Sequence, residues 1–135
     1  MFDAFLVPEE TIVTAKGDSA PLDISAAASA VFLATLSITG VVEQESLEIT
    51  LFTSPDGTTW EAKPVASFPQ RFYAGEYPLM VDLSAGSGAK FLRAHWEVGR
   101  WGRGPTEAKF EFGLRIREVS REALLEAQAE AQARR

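Results

Sequence analysis

Cysteine is absent from the 135 residues, and histidine occurs once, at position 95. The first absence excludes disulfides, a thiolate metal site and a cysteine nucleophile, although it does not by itself fix a redox compartment. The second means that any Ser-His-Asp triad, histidine metal cluster or imidazole acid–base role has to run through His95. No run approaches the roughly 18 apolar residues that cross a bilayer. Met1 to Glu10 lacks the basic start and long apolar stretch of a signal peptide, and Asp3 and Pro8 interrupt it. The expectation is a soluble cytoplasmic chain that begins at Met1 and has no membrane role.

Positive charge is also in deficit, with 13 Lys and Arg against 19 Asp and Glu for a net charge of −6. Affinity for nucleic acid depends on neutralising phosphates with basic side chains, so nucleic acid is not the expected partner. What is present is ordinary for a folded protein. Apolar residues make up 46% and charged residues 24%, far from the low-hydrophobicity, high-charge signature of disorder. The length suits one domain with one core.

The apolar residues alternate with period two. From Val31 to Ile38, Phe32, Ala34, Leu36 and Ile38 share one face, and from Ser46 to Thr53 Leu47, Ile49 and Leu51 do. Gly40 and the polar Glu43-Gln44-Glu45 mark the turn between these strands. Ser54-Pro55-Asp56-Gly57 suits a type I turn closed by a left-handed glycine, after which a strand is expected to return through Thr58 to Glu61. Pro64, Pro69 and Pro78 restrict the next strands to short or edge positions, Tyr77 to Leu83 being one candidate. Lys90 to Val98 turns Leu92, Ala94, Trp96 and Val98 to one side, and Glu107 to Val119 turns Phe110, Phe112, Leu114 and Ile116 inward. These last two segments are expected to pair as a hairpin. Leu36, Ile49, Leu92, Trp96, Phe112 and Leu114 are the expected heart of the core, with Trp60 also inside.

After Ser120 the composition shifts to Ala, Glu, Gln and Arg, with Ser120 as N-cap and Arg134 and Arg135 complementing a helix dipole. The fold class expected is therefore all-β: a two-sheet antiparallel sandwich, jelly-roll-like, over residues 1–119, with a short C-terminal helix over 120–135.

No catalytic constellation emerges. His95 shares a strand face with Arg93 and Glu97, which suits a polar sheet position whose ring is held by a neighbouring charge. Ser84-Ala85-Gly86-Ser87-Gly88-Ala89-Lys90 superficially resembles a phosphate loop, yet its lysine opens a strand and not a helix. No spacing singles out a carboxylate pair or a metal-ligand set, and neither cofactor nor metal is expected. The most unusual surface signal is Gly99-Arg100-Trp101-Gly102-Arg103-Gly104-Pro105. Trp and Arg are enriched at interface hot spots, so Arg100, Trp101 and Arg103 are the candidate partner-binding residues; Trp101 could equally fold back to cap the end of the sandwich.

The order Leu22-Asp23-Ile24-Ser25, Phe32 to Thr39, Leu47 to Phe52, Ser54-Pro55-Asp56-Gly57-Thr58-Thr59-Trp60 and Lys90 to Trp96 resembles small β-sandwich proteins of phage and prophage structural gene clusters. The resemblance spans about residues 20 to 119. It implies a non-enzymatic structural or assembly protein, associated with a virion, whose partners are copies of itself or other structural proteins. The same Asp-Gly-x-x-Trp hairpin also resembles discoidin-like, galactose-binding jelly rolls, which implies a carbohydrate-binding module as the alternative.

Overall fold

Stretches of β-branched and aromatic residues form the strands, as their stiff χ1 preferences favour. The computed structural model describes residues 2–27, 31–41, 45–83, 89–100 and 109–119, with Glu122 and Ala129. Within them the chain forms β1 (Asp3–Val13), β2 (Gly17–Asp18), β3 (Leu22–Asp23), β4 (Val31–Val41), β5 (Glu45–Ser54), β6 (Ala66–Ser67), β7 (Gly75–Asp82), β8 (Phe91–Arg100) and β9 (Phe110–Glu118). The described residues up to Val119 are all-β, in two antiparallel sheets. The first sheet has the order β1-β9-β4-β7; the second runs β2-β8-β5-β6, with β3 also pairing with β8.

The inward faces of both sheets contribute to one hydrophobic core, as in a β-sandwich. Leu36, Ile49, Leu92, Phe112 and Leu114 are all essentially inaccessible to solvent. Trp96 is only partly buried. Its ring meets Phe112 edge-on at 5.8 Å between centroids, and its Nε1 donates to the carbonyl of Ala15 at 3.1 Å. On β9 the inward series Phe110, Phe112, Leu114, Ile116 continues into Glu118, which is also buried. That carboxylate is satisfied rather than stranded, since it accepts the Phe2 N–H at 3.1 Å.

Two expectations are overturned. β8 and β9 do not form a hairpin: β8 pairs with β5, β2 and β3, and β9 lies between β1 and β4 in the other sheet. Alternation reveals that each strand has one buried face, but two such strands satisfy it equally by facing each other across a core. Trp60 is not in the core either. It lies half-buried over the guanidinium of Arg93, 4.4 Å from its ring centroid. The cause is local. The Asp56 carboxylate accepts the N–H groups of Thr58 and Thr59 at 2.8 and 2.7 Å, so neither donor is free for a ladder with β5, and no returning strand forms over Thr58 to Glu61.

The left-handed glycine is as expected. Gly57 has φ of +81°, and the buried Ser54 hydroxyl accepts its N–H at 2.9 Å. Both edges of the first sheet are interrupted, one by Pro78 within β7 and the other by the irregular register of β1, where Glu10 takes φ of +60°. Such irregular or donor-poor edges discourage uncontrolled strand addition. The expected C-terminal helix over 120–135 lies outside the described residues apart from Glu122 and Ala129.

Candidate functional site

Three surface regions carry chemistry. The first is one end of the two-sheet body, where the chain repeatedly changes sheet: β1 leaves at Val13, β4 at Val41 and β8 at Arg100, and β5, β7 and β9 begin there. The segment between β6 and β7 also crosses here. Arg71 exchanges backbone hydrogen bonds with Leu47 at 2.8 and 2.9 Å, after which Phe72 and Tyr73 carry the chain over to Gly75. Tyr73 is 76% exposed and Phe72 39%. Their rings lie 6.4 Å apart, the Arg71 guanidinium stacks 4.1 Å from the Tyr77 ring, and the Tyr77 hydroxyl donates to the Tyr73 carbonyl at 2.7 Å.

Arg100 ends β8 opposite Glu45, at this same end. Trp101 and Arg103 lie outside the described residues, as does the side chain of Arg100. Sequence reasoning had no way to single out Phe72 and Tyr73. They lie in a stretch without alternation, between Pro69 and Pro78, and their exposure depends on how the chain crosses between sheets.

The second region is a groove of about 450 Å³ on the outer face of the first sheet. Its floor is built from every second residue of two adjacent strands: Thr35, Ser37 and Thr39 from β4, and Gly113, Arg115 and Arg117 from β9. Phe5, Glu9 and Glu10 of β1 wall one side, and Glu76 of β7 the other. The Pro8–Glu10 stretch arches over Gly113 so closely that a Cβ there would lie 3.0 Å from the Glu9 Cα. Arg115 is engaged by both carboxylate oxygens of Asp3, its Nε donating at 2.8 Å. This hydrogen bond holds the Asp3 carboxyl below its usual range and raises the guanidinium further. Thr39 donates to Glu111 at 2.8 Å. Thr35, Ser37, Glu9, Glu10, Glu76 and Arg117 form no side-chain hydrogen bond with another described residue.

The third region crosses the outer face of the second sheet. His95 Nδ1 lies 2.9 Å from Asp18 Oδ1 and its Nε2 3.3 Å from Glu97 Oε1. Arg93 Nε is 3.9 Å from the same Asp18 oxygen, an ion-pair distance but not a hydrogen bond. Partial burial, the largest single influence, pulls the imidazole pKa down, but the hydrogen bonds and charges of Asp18 and Glu97 together outweigh it and leave the pKa raised. This is the charge-held sheet position expected for His95. Glu97 is predicted from the strand spacing; Asp18 is not, because it arrives from β2, 77 residues away in sequence.

Among the described residues no group of three or more His, Asp or Glu side chains is arranged to hold a metal ion, and no helix is long and apolar enough to cross a membrane. No family model, no curated protein and no solved structure matches this chain.

Proposed function

We propose that this chain is a non-enzymatic structural or assembly module that acts by docking, in line with its resemblance to virion-associated β-sandwich proteins of phage. The reading takes the two-sheet body as jelly-roll-like, with a short helix after Ser120, in a cytoplasmic or virion-associated protein that needs no cofactor. The observation that supports it is the aromatic strip of Phe72 and Tyr73, partly and largely exposed respectively, beside the stacked Arg71–Tyr77 pair. Rings and guanidinium groups of this kind supply most of the binding energy in protein interfaces, because they bury large areas at small entropic cost. Arg100, Trp101 and Arg103 are the further candidate partner-binding residues, on the enrichment of Trp and Arg at interface hot spots. The partners are other copies of the chain or other structural proteins.

Light scattering across a concentration series tests this. Association is expected, and Tyr73→Ala and Trp101→Ala should each weaken it by about 2 kcal/mol or more while leaving the thermal midpoint of the isolated domain nearly unchanged. A strict monomer at high concentration, with no co-assembling structural protein, would count against the proposal. An unfolding penalty with intact assembly would assign Trp101 to an end-capping role.

The groove on the first sheet favours a second reading, a carbohydrate-binding module. The hydroxyls of Thr35 and Ser37, the carboxylates of Glu9, Glu10 and Glu76 and the Arg117 guanidinium, which form no side-chain hydrogen bond among the described residues, lie beside a Phe5 ring that is 43% exposed; such groups would bond vicinal hydroxyls and stack on a sugar ring. A glycan array on the full chain discriminates the two. Selective hits abolished by Phe5→Ala and Arg117→Ala would favour carbohydrate, and a blank array with concentration-dependent association would favour assembly.

A further inference from the structure

We propose that His95, Asp18 and Glu97 form a pH-sensitive latch that fastens the Gly17–Ser19 segment along the edge of β8 and loosens as His95 loses its proton. The latch stands on geometry independent of either functional reading. β2 pairs with β8 over two residues only, Gly17 opposite Trp96 and Asp18 opposite His95. The next residue adds two bonds, Ser19 N–H to the Ala94 carbonyl at 2.8 Å and Ala94 N–H to the Ser19 hydroxyl at 2.9 Å. So short a pairing is marginal by itself, and its position depends on side chains. Underneath, the Trp96 ring lies 3.0 Å from where a Gly17 Cβ would be, so a side chain at position 17 would have to push the ring aside by a few tenths of an ångström. On the outer face, Asp18 reaches His95.

The charges around His95 come from three strands: Asp18 on β2, Arg93 and Glu97 on β8 itself, and Glu48 on β5, which lies directly opposite Glu97. Thr50, directly opposite His95, is uncharged. The two carboxylates within hydrogen-bond reach of the ring, Asp18 and Glu97, favour the imidazolium. Protonated, the ring donates from Nδ1 to Asp18 and from Nε2 to Glu97. Neutral, it has one N–H for two carboxylate oxygens, so one nitrogen must face a carboxylate as an acceptor. The bond that survives is also no longer charge-assisted and is weaker for it. Loosening frees the backbone groups of Ala94 on the outer edge of β8.

The test combines an NMR titration of the His95 ring with amide exchange of Ser19 and Ala94 in the full chain, each rate normalised to its unstructured value at the same pH. The expected midpoint lies above the ordinary value of 6.5 and falls in Asp18→Asn. Protection of Ser19 should drop several-fold between pH values about one unit either side of that midpoint. Leu36 and Leu114, paired at the centre of the other sheet, should keep theirs. In His95→Gln, which retains an amide donor but does not titrate, the pH dependence at Ser19 should vanish. A midpoint at or below 6.5, or pH-dependent protection of Ser19 that persists in both variants, would overturn the latch.

Discussion

The two outer faces of this molecule are built on the same core and yet use their polar groups in opposite ways. On the second sheet, Trp60, Arg93, Asp18, His95 and Glu97 are spent on one another in a row of stacked, paired and hydrogen-bonded groups. On the first sheet, beyond the Asp3–Arg115 and Thr39–Glu111 pairs, the hydroxyls of Thr35 and Ser37 and the carboxylates of Glu9, Glu10 and Glu76 form no side-chain hydrogen bond among the described residues. The difference lies in what the flanking chain brings. The segment carrying Asp18 lies along β8 and supplies a carboxylate to the row, whereas β1 slips out of register at Pro8–Glu10, arches over Gly113 and walls a trough. A face that satisfies itself holds structure; a face with spare donors and acceptors is the one able to receive a ligand.

The largest effect should be indifferent to the contrast. Leu92→Ala behind the second face and Leu114→Ala behind the first each remove a fully buried side chain and should each cost about 2–5 kcal/mol in denaturant unfolding. A large inequality between them would mean that the faces do not share one core. Gly113→Ala should come next, at about 1–3 kcal/mol, because its Cβ would press on the backbone of the Glu9 arch. It should also narrow the groove on the first sheet alone. Trp96→Phe removes the bond to Ala15 and should cost about 1 kcal/mol through that bond, with the loss of amide protection concentrated at Gly17–Ser19.

The pH dependence of unfolding separates the faces further, by smaller amounts. The raised pKa of His95 contributes stability that is fully present below about 6.5 and is lost as pH rises through its folded value. Asp3 works in the opposite direction. Its lowered pKa contributes stability above the ordinary carboxylate value of 3.8, lost as pH falls through the depressed folded value. His95→Gln should flatten only the near-neutral limb and Asp3→Asn should blunt part of the acid limb, where Asp23 and Asp56 also act. Smallest of all, Thr35→Ala and Ser37→Ala should change stability by no more than about 0.5 kcal/mol. A clearly larger loss in thermal unfolding would show those hydroxyls to be structural and remove the contrast.

Much of this body was legible beforehand where burial imposes a period of two. Every second residue from Phe32 to Ile38, Leu47 to Leu51 and Phe110 to Ile116 is buried as the alternation demands. Pairing was not legible, since the pattern of β8 and β9 is the same whether they lie side by side or face each other. Nor was β1, whose alternation is broken by Leu6 and Val7, both buried, and by the Pro8–Glu10 arch. Trp60 was misplaced because its position depends on which acceptor captures two backbone N–H groups, not on hydrophobicity. Of the chemistry, His95 and Glu97 were visible from strand spacing. Asp18, the groove and the Phe72–Tyr73 strip are products of tertiary folding and leave no local signature.

The pairing of β1 with β9 carries a consequence for the order of folding. Phe2 and Glu118 exchange hydrogen bonds although they are separated by 116 residues. On a ribosome, β1 emerges first and has no partner until β9 follows, and β4 likewise waits for β9 on one side. Sheets closed by such distant contacts form slowly, in milliseconds to seconds, and their waiting strands are prone to aggregation. The nascent chain therefore completes its second sheet through β5 and β8 before its first can close, and a ribosome stalled short of Phe110 holds a protein with half a core.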